Sequence, residues 1–173
     1  YDINIDGEDL SGKKSNIINL SRITYDTDLP KIIVTAPTDS SFRNSSSFGY
    51  ELSESLLSAN LIWKAIDENF DSGSPHTVEL KDYELEIGIH KDSILINYPF
   101  LKDSLLYDLT FFGIDSAGNS SDTLFITNIL YDVSKPIIDL IYPKSFSYIN
   151  NYELSYTISE KIAQGEVLWE RTG

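Results

Sequence analysis

Along much of this chain apolar and polar residues alternate with the two-residue period of a half-buried strand. In SFGYELS (47–53), Phe48, Tyr50 and Leu52 share one side, and in LIWKAID (61–67) Leu61, Trp63 and Ala65 do the same. LLYDLTFFG (105–113) and TLFITNILY (123–131) give the strongest strand signals, and SILIN (93–97) is a further one. KIIVTAP (31–37), HTVEL (76–80) and LEIGIH (85–90) complete the predicted set. Residues 68–76 have the Asp, Gly, Ser and Pro chemistry of a loop, and KDYE (81–84) that of a turn. ESLLSAN (54–60) is long enough for a helical turn but not for a helical layer. About seven short strands, separated by turn signals every 8–12 residues, predict an all-β chain with an immunoglobulin-like, fibronectin III-like β-sandwich. Trp63 falls where such a fold buries a large aromatic between its sheets.

The chain also matches itself at a spacing of 106 residues. YDINIDGEDLSGKKSNIINLSRITYD (1–26) overlies YDLTFFGIDSAGNSSDTLFITNILYD (107–132), and residues 27–67 overlie 133–173, without a gap. Eighteen of the 67 aligned pairs are identical. They include Gly7/Gly113, Asp9/Asp115, Gly12/Gly118, Asp26/Asp132, Pro30/Pro136, Pro37/Pro143, Ser53-Glu54/Ser159-Glu160 and Trp63/Trp169. Self-similarity at a fixed period marks repeat architectures. It divides the chain into 1–26, the last strands of an upstream unit, 27–132, one complete unit, and 133–173, the first strands of a downstream unit. Pro30 and Pro136 set this phase, since proline suits the first residue of a strand and cannot donate to a ladder.

The repeat settles one motif. Asp2, Asn4, Asp6 and Gly7 look like the first half of a calcium loop. In the second copy Asn4 and Asp6 become Thr110 and Phe112, and position 12 of the loop is Lys13, which is no ligand. What recurs is a strand ending in Gly-x-Asp-x-x-Gly. Asp115 is expected to accept hydrogen bonds from N–H groups two and three residues on, with Gly118 supplying a positive φ.

Composition narrows the function classes. The 173 residues carry 27 Asp and Glu against 13 Lys and Arg, a net charge of −14, which disfavours nucleic acid and anionic lipid as partners. No run approaches the roughly 20 apolar residues of a membrane-spanning helix. Residue 1 is Tyr, and any targeting signal is expected upstream of it. Cysteine and methionine are absent, which leaves no disulfide framework and no thiolate nucleophile.

Tyr107 through Asp115-Ser-Ala-Gly-Asn119, then Tyr131-Asp132 and Pro136, resemble the tandem Ig-like repeats of large bacterial surface and adhesin-like proteins. In these a D-x-A-G-N turn precedes the last strand and a Y-D-x-x-x-P joint leads to the next unit. Ser-Pro-His-Thr (74–77) and Trp-Glu-Arg-Thr-Gly (169–173) carry the same likeness. The upstream copy departs from it, with Asp9-Leu-Ser-Gly12-Lys13 at the turn. The resemblance covers the whole chain and implies an extracellular, cell-surface repeat. Its motifs specify a fold and a tandem habit rather than a ligand.

Neither His76 nor His90 belongs to a zinc pattern, and nucleotide-binding and nucleophile-elbow motifs are missing. The unit 27–132 holds seventeen acids and six bases, a pattern expected of a solvated face rather than a glycosidase pair. No catalytic, cofactor-binding or metal-ligating residue is therefore assigned, and no enzyme is expected. Calcium at the joints is the one chemistry left open, from Asp26, Asp28 and Asp132 with the turn acids Asp9 and Asp115. Asn19, Asn44 and Asn119 fit the N-x-[ST] glycosylation pattern, a weak signal in so serine-rich a chain.

The function expected is structural: a spacer or stalk whose partners are the adjacent repeats of the same chain. The alternative is a module binding a surface glycan or protein through Phe70, Tyr83, Tyr98 and Phe100, all in or near loops.

Overall fold

A computed structural model describes residues 1–93, 95 and 97–171, and the side chains of all of these except 92 and 93. The described chain is all-β, with one short 3-10 turn at Asp82–Leu85. No helix among the described residues is long and apolar enough to cross a membrane. The chain divides into two compact units, Tyr1–Asp132 and Val133–Gly173.

In the first unit, β1 (Ile3–Ile5) and β2 (Ile18–Leu20) form a hairpin of their own. The body is built from β3 (Ile32–Ala36), β4 (Phe42–Arg43), β5 (Phe48–Leu52), β6 (Leu56–Ala65), β7 (His76–Glu79), β8 (Gly88–Ser93), β9 (Leu105–Asp115) and β10 (Leu124–Tyr131). They make a five-stranded sheet in the order β4-β10-β9-β6-β7 and a three-stranded sheet in the order β3-β5-β8. The sheets face each other across one core, as a β-sandwich does. Phe48 and Tyr50 from the small sheet meet Phe111 of the large one edge-on, with ring centroids 5.4 Å apart in both pairs. Trp63, 1% exposed, lies in that core against Tyr107.

The pattern of apolar positions explains most of these strands, and its failures have local causes. Residues 54–60 are not a helical turn: β6 begins at Leu56. The ladder to β9 slips between Leu56 and Ser58, a β-bulge that shifts the alternation by one residue. Leu56 and Ala59 are thus both buried although their spacing is odd, which hides the strand from a period-two reading. Two-residue β4 runs parallel to β10 and has too little sequence to carry a pattern. β8 starts at Gly88, later than the predicted strand at 85–90, because Leu85 ends the 3-10 turn. The predicted strand 93–97 lies partly outside the described residues; Leu95 is buried.

The hydrogen bonding recurs at the spacing seen in the sequence. Ile3↔Leu20, Asn4↔Asn19 and Ile5↔Ile18 in the hairpin correspond, 106 residues on, to Leu109↔Ile126, Thr110↔Phe125 and Phe111↔Leu124. The turns agree too: Asp9 N–H donates to Lys13 O, and Asp115 N–H to Asn119 O. Arg22 and Asn128, both at positive φ, donate their N–H groups to the matching carboxylates of Asp2 and Asp108.

The second unit pairs β11 (Ile138–Tyr142) with β12 (Ser155–Ile158). Its register, from Ile138↔Ile158 to Tyr142↔Ser155 with a slip after Leu140, is that of β3 and β5, from Ile32↔Leu52 to Ala36↔Gly49 with a slip after Val34.

One end of the sandwich is tied by a buried polar knot. The Tyr107 hydroxyl accepts from Lys102 N–H at 2.7 Å and donates to Asp71 Oδ2 at 2.7 Å. His76 Nε2 lies 2.6 Å from the same oxygen, and Gly73 N–H donates to Oδ1 at 3.2 Å. Burial pushes the Asp71 carboxyl up, but hydrogen bonds from His76, Tyr107 and Gly73 outweigh it and hold the group below its ordinary value. A carboxylate with a depressed value contributes stability above the ordinary range that is lost as pH falls through the folded value. Tyr107→Phe orphans the Lys102 N–H and takes a donor from Asp71, and is expected to cost about 1–3 kcal/mol in urea unfolding. Asp71→Asn should flatten the loss of stability below about pH 4 in the same assay; an acid limb as steep as the parent's would show that this carboxylate does not titrate with folding.

Candidate functional site

Three acids from distant parts of the chain converge on the first unit. Asp115 ends β9, Glu54 lies in the β5–β6 connection, and Asp26 lies in the segment leading to β3. One carboxylate oxygen of each lies within 4.8 Å of the others. Asp115 is positioned by its turn. Its Oδ1 accepts from Ala117 and Asn119 N–H, each at 2.8 Å, and the Gly118 N–H between them also acts on the carboxylate, so the acceptor reaches two, three and four residues on. Gly118, at φ 93°, lets the turn close. The Asn119 amide donates to Asp115 Oδ2 at 2.9 Å and to the Asp26 carbonyl at 3.3 Å, which stitches the turn to the incoming segment. Asp26 in turn accepts from Asp28 N–H at 3.0 Å.

The electrostatics follow from this crowding. Burial pushes Asp115 up, yet the hydrogen bonds of its turn prevail and keep it ionised below its ordinary value. Among the described residues Glu54 has no such donors. Partial burial, then the charges of Asp115, Asp26 and Asp28, push its carboxyl above the ordinary glutamate value. Three hard oxygen donors around one point, one of them destabilised as an anion, are the donor set a divalent cation such as calcium prefers.

Of the acids considered for the joints, Asp26 and Asp115 meet, and Asp28 is close enough to act on Glu54. Asp132 is held elsewhere, its N–H on Arg43 O at the end of β4. Asp9 occupies a turn of the same geometry as Asp115, accepting from Ser11 and Lys13 N–H, but joins no cluster among the described residues. Glu54 was not among the candidates. The signal for it was present: Asp26, Glu54 and Asp115 each belong to an identical pair of the internal match, whereas Asp28 becomes Ser134.

The aromatic candidates separate. All four are exposed, but only Tyr98 and Phe100 come together, with ring centroids 5.3 Å apart. They line an open cleft of about 310 Å³ with Ser45, Ser47, Leu101 and Tyr131. Ser47, on its wall, accepts from the Arg43 guanidinium on O and Oγ at 3.0 and 2.7 Å. Phe70 and Tyr83 do not line this cleft. His76 is committed to Asp71, and His90 stacks on Tyr50 at 4.5 Å while its Nε2 contacts the Glu86 carbonyl.

No protein-family model, curated protein or solved structure matches the chain.

The raised value of Glu54 sets the sign of a test. Its ionisation costs stability that is absent below the ordinary glutamate range and fully present above the folded value. Glu54→Gln is therefore expected to melt higher than the parent at pH 7 in chelator, the difference vanishing as pH falls below about 4. Calcium should raise the melting temperature of the parent and do so less for the variant. Identical melts of the parent with calcium and with chelator would remove the cation from this cluster.

Proposed function

We propose that this chain is a stretch of a tandem array of immunoglobulin-like, fibronectin III-like sandwiches spaced 106 residues apart, and that the array is a non-catalytic spacer on a large extracellular bacterial surface protein. The observation that carries the proposal is a contrast in burial at matching positions. Tyr107, Leu109 and Phe111 are at most 1% exposed, whereas their counterparts Tyr1, Ile3 and Ile5 are 78%, 42% and 52% exposed. Trp63 is 1% exposed and Trp169 47%. Matching positions lie inside a core in one copy and bare in the other two, as expected of units represented only in part.

Further features support the sandwich type. Tyr107 stands at the start of β9 and its hydroxyl takes an N–H five residues upstream, the geometry of the tyrosine corner in immunoglobulin-like domains. β4 leaves the small sheet's end of the chain to pair parallel with the final strand of the other sheet. In this reading the joints from Asp26 to Pro30 and from Asp132 to Pro136 are short and proline-bearing, which restricts swing between successive units. A cation held by Asp26, Glu54 and Asp115 would fasten the joint segment to the unit it enters.

A second reading is favoured by the Tyr98–Phe100 cleft. Paired exposed rings beside serine hydroxyls suit the face of a sugar, which makes a glycan-binding module the alternative.

The test is excision. Residues 27–132 alone are expected to unfold in one cooperative transition with the core packing of the parent, read by tryptophan fluorescence from Trp63. A fragment that stays unfolded until 1–26 or 133–173 is restored would defeat the array. Retention of 27–132 on a glycan array, abolished by Tyr98→Ala with Phe100→Ala, would favour the second reading.

A further inference from the structure

The cleft beside Tyr98 and Phe100 lies wholly inside the intact sandwich: the residues that line it run from Ser45 to Tyr131. Along 98–101 the side chains alternate. Pro99 is buried and Leu101 packs against the core, while Tyr98 and Phe100 are 52% and 76% exposed. A phenylalanine standing that far into water forgoes the stabilisation that burial would give it. The two rings lie 5.3 Å apart at 58°, so they present two planes rather than one flat pair.

The serine wall of the cleft is biased toward donation. Ser47 Oγ accepts from the Arg43 guanidinium at 2.7 Å, and the Ser45 and Ser47 hydroxyl oxygens lie 2.9 Å apart. Each hydroxyl holds one proton, and the bond between them uses one of the two. Whichever serine donates, one hydroxyl proton is left over on a residue that lines the cleft. A cation donating into the pair polarises it and strengthens that remaining proton as a donor. The cleft thus offers a hydrogen to an acceptor, beside two aromatic faces and the apolar Pro99 and Leu101.

We propose that this cleft binds an N-acetylated hexosamine. The inference rests on the glycan-binding reading above and names the class of sugar. The C–H bonds on a pyranose face carry slight positive charge and lie well on the negative face of an aromatic ring. An acetamido group adds two things that a plain hydroxyl lacks: a carbonyl oxygen that only accepts, and a methyl that suits the apolar wall. Charge agrees with this choice. A chain of net charge −14 repels uronic and other acidic sugars, whereas an N-acetylhexosamine is neutral. A proline-rich peptide also brings carbonyls to aromatic rings. Its extended helix, however, calls for aromatic pockets repeated about every 9 Å, and this cleft holds one close pair of rings.

The internal match separates the serine wall from the repeated framework. Arg43, Ser45 and Ser47 correspond to Ile149, Asn151 and Glu153, although Asn44 and Tyr50 nearby recur as Asn150 and Tyr156. A glutamate in place of Ser47 puts an acceptor where 27–132 has a donor. The site is therefore a property of this sandwich and not of every copy.

Chitotetraose and cellotetraose share a β-1,4 linkage and differ at C2, acetamide against hydroxyl, so the pair isolates the feature in question. Titrated into the whole chain by calorimetry and saturation-transfer NMR, chitotetraose is expected to bind about tenfold tighter than cellotetraose. Ser45→Ala with Ser47→Ala should bring chitotetraose down to the level of cellotetraose, and Tyr98→Ala with Phe100→Ala should abolish binding of both. Thermal melts establish that each variant is folded, and the preference of the parent is read without any variant. Equal binding of the two sugars by the parent, or a preference that survives in a folded serine variant, overturns the acetamide assignment and leaves the glycan reading standing. Retention of a decaproline peptide in place of either sugar also overturns it. Binding of neither sugar defeats the proposal, and the glycan reading falls with it only if the glycan array is blank as well.

Discussion

The antiparallel ladder between β6 and β9 is the contact on which the intact sandwich rests. It is the longest pairing in the chain, running from Leu56↔Asp115 to Ala65↔Tyr107 through the middle of the larger sheet. Its inner side presents Leu61, Trp63, Tyr107, Leu109 and Phe111, each at most 1% exposed. A side chain of this size contributes about 1.5–3 kcal/mol on full burial, so these five exceed any polar contact in the unit. Both ends of the ladder also lead to polar structure. Asp115, at one end, enters the acidic cluster; Tyr107, at the other, ties Lys102 and Asp71.

The same ladder explains the state of the flanking segments. A strand sequence becomes a strand when its hydrogen bonds have partners, and residues 162–171 have the apolar alternation of β6 without the neighbour that would pair with it. The hairpin at 3–20 is paired within itself, and among the described residues its apolar side chains stay exposed. Exposed apolar faces with backbone edges beside them invite association.

Polar groups at the two ends of the sandwich are handled differently. Asp71 is 1% exposed and fully served by donors, so its charge fastens the loop after β6 to the start of β9. In the acidic cluster the donors go to Asp115, while Glu54 meets mainly other anions. The first arrangement is complete in itself. The second concentrates negative charge where the chain enters the unit, and it is the place where an added cation has most to stabilise.

What could be read from the sequence was local or repeated. Period-two alternation located β5 and the second half of β6, because facing and burial in a strand follow from side-chain geometry alone. The Asp115 turn was legible because its acceptors and donors lie within four residues. The internal match was legible because it compares the chain with itself. The bulge that extends β6 back to Leu56 was not, since a one-residue slip erases the alternation that reveals a strand. Nor was the meeting of Asp26, Glu54 and Asp115, which requires the β5–β6 connection, the end of β9 and the entering segment to arrive at one place. Nor was the sorting of Tyr98 and Phe100 from Phe70 and Tyr83. Alternation says which side of a strand is covered. Which residues far apart in the chain come to share a neighbourhood is decided only when two sheets close over a common core.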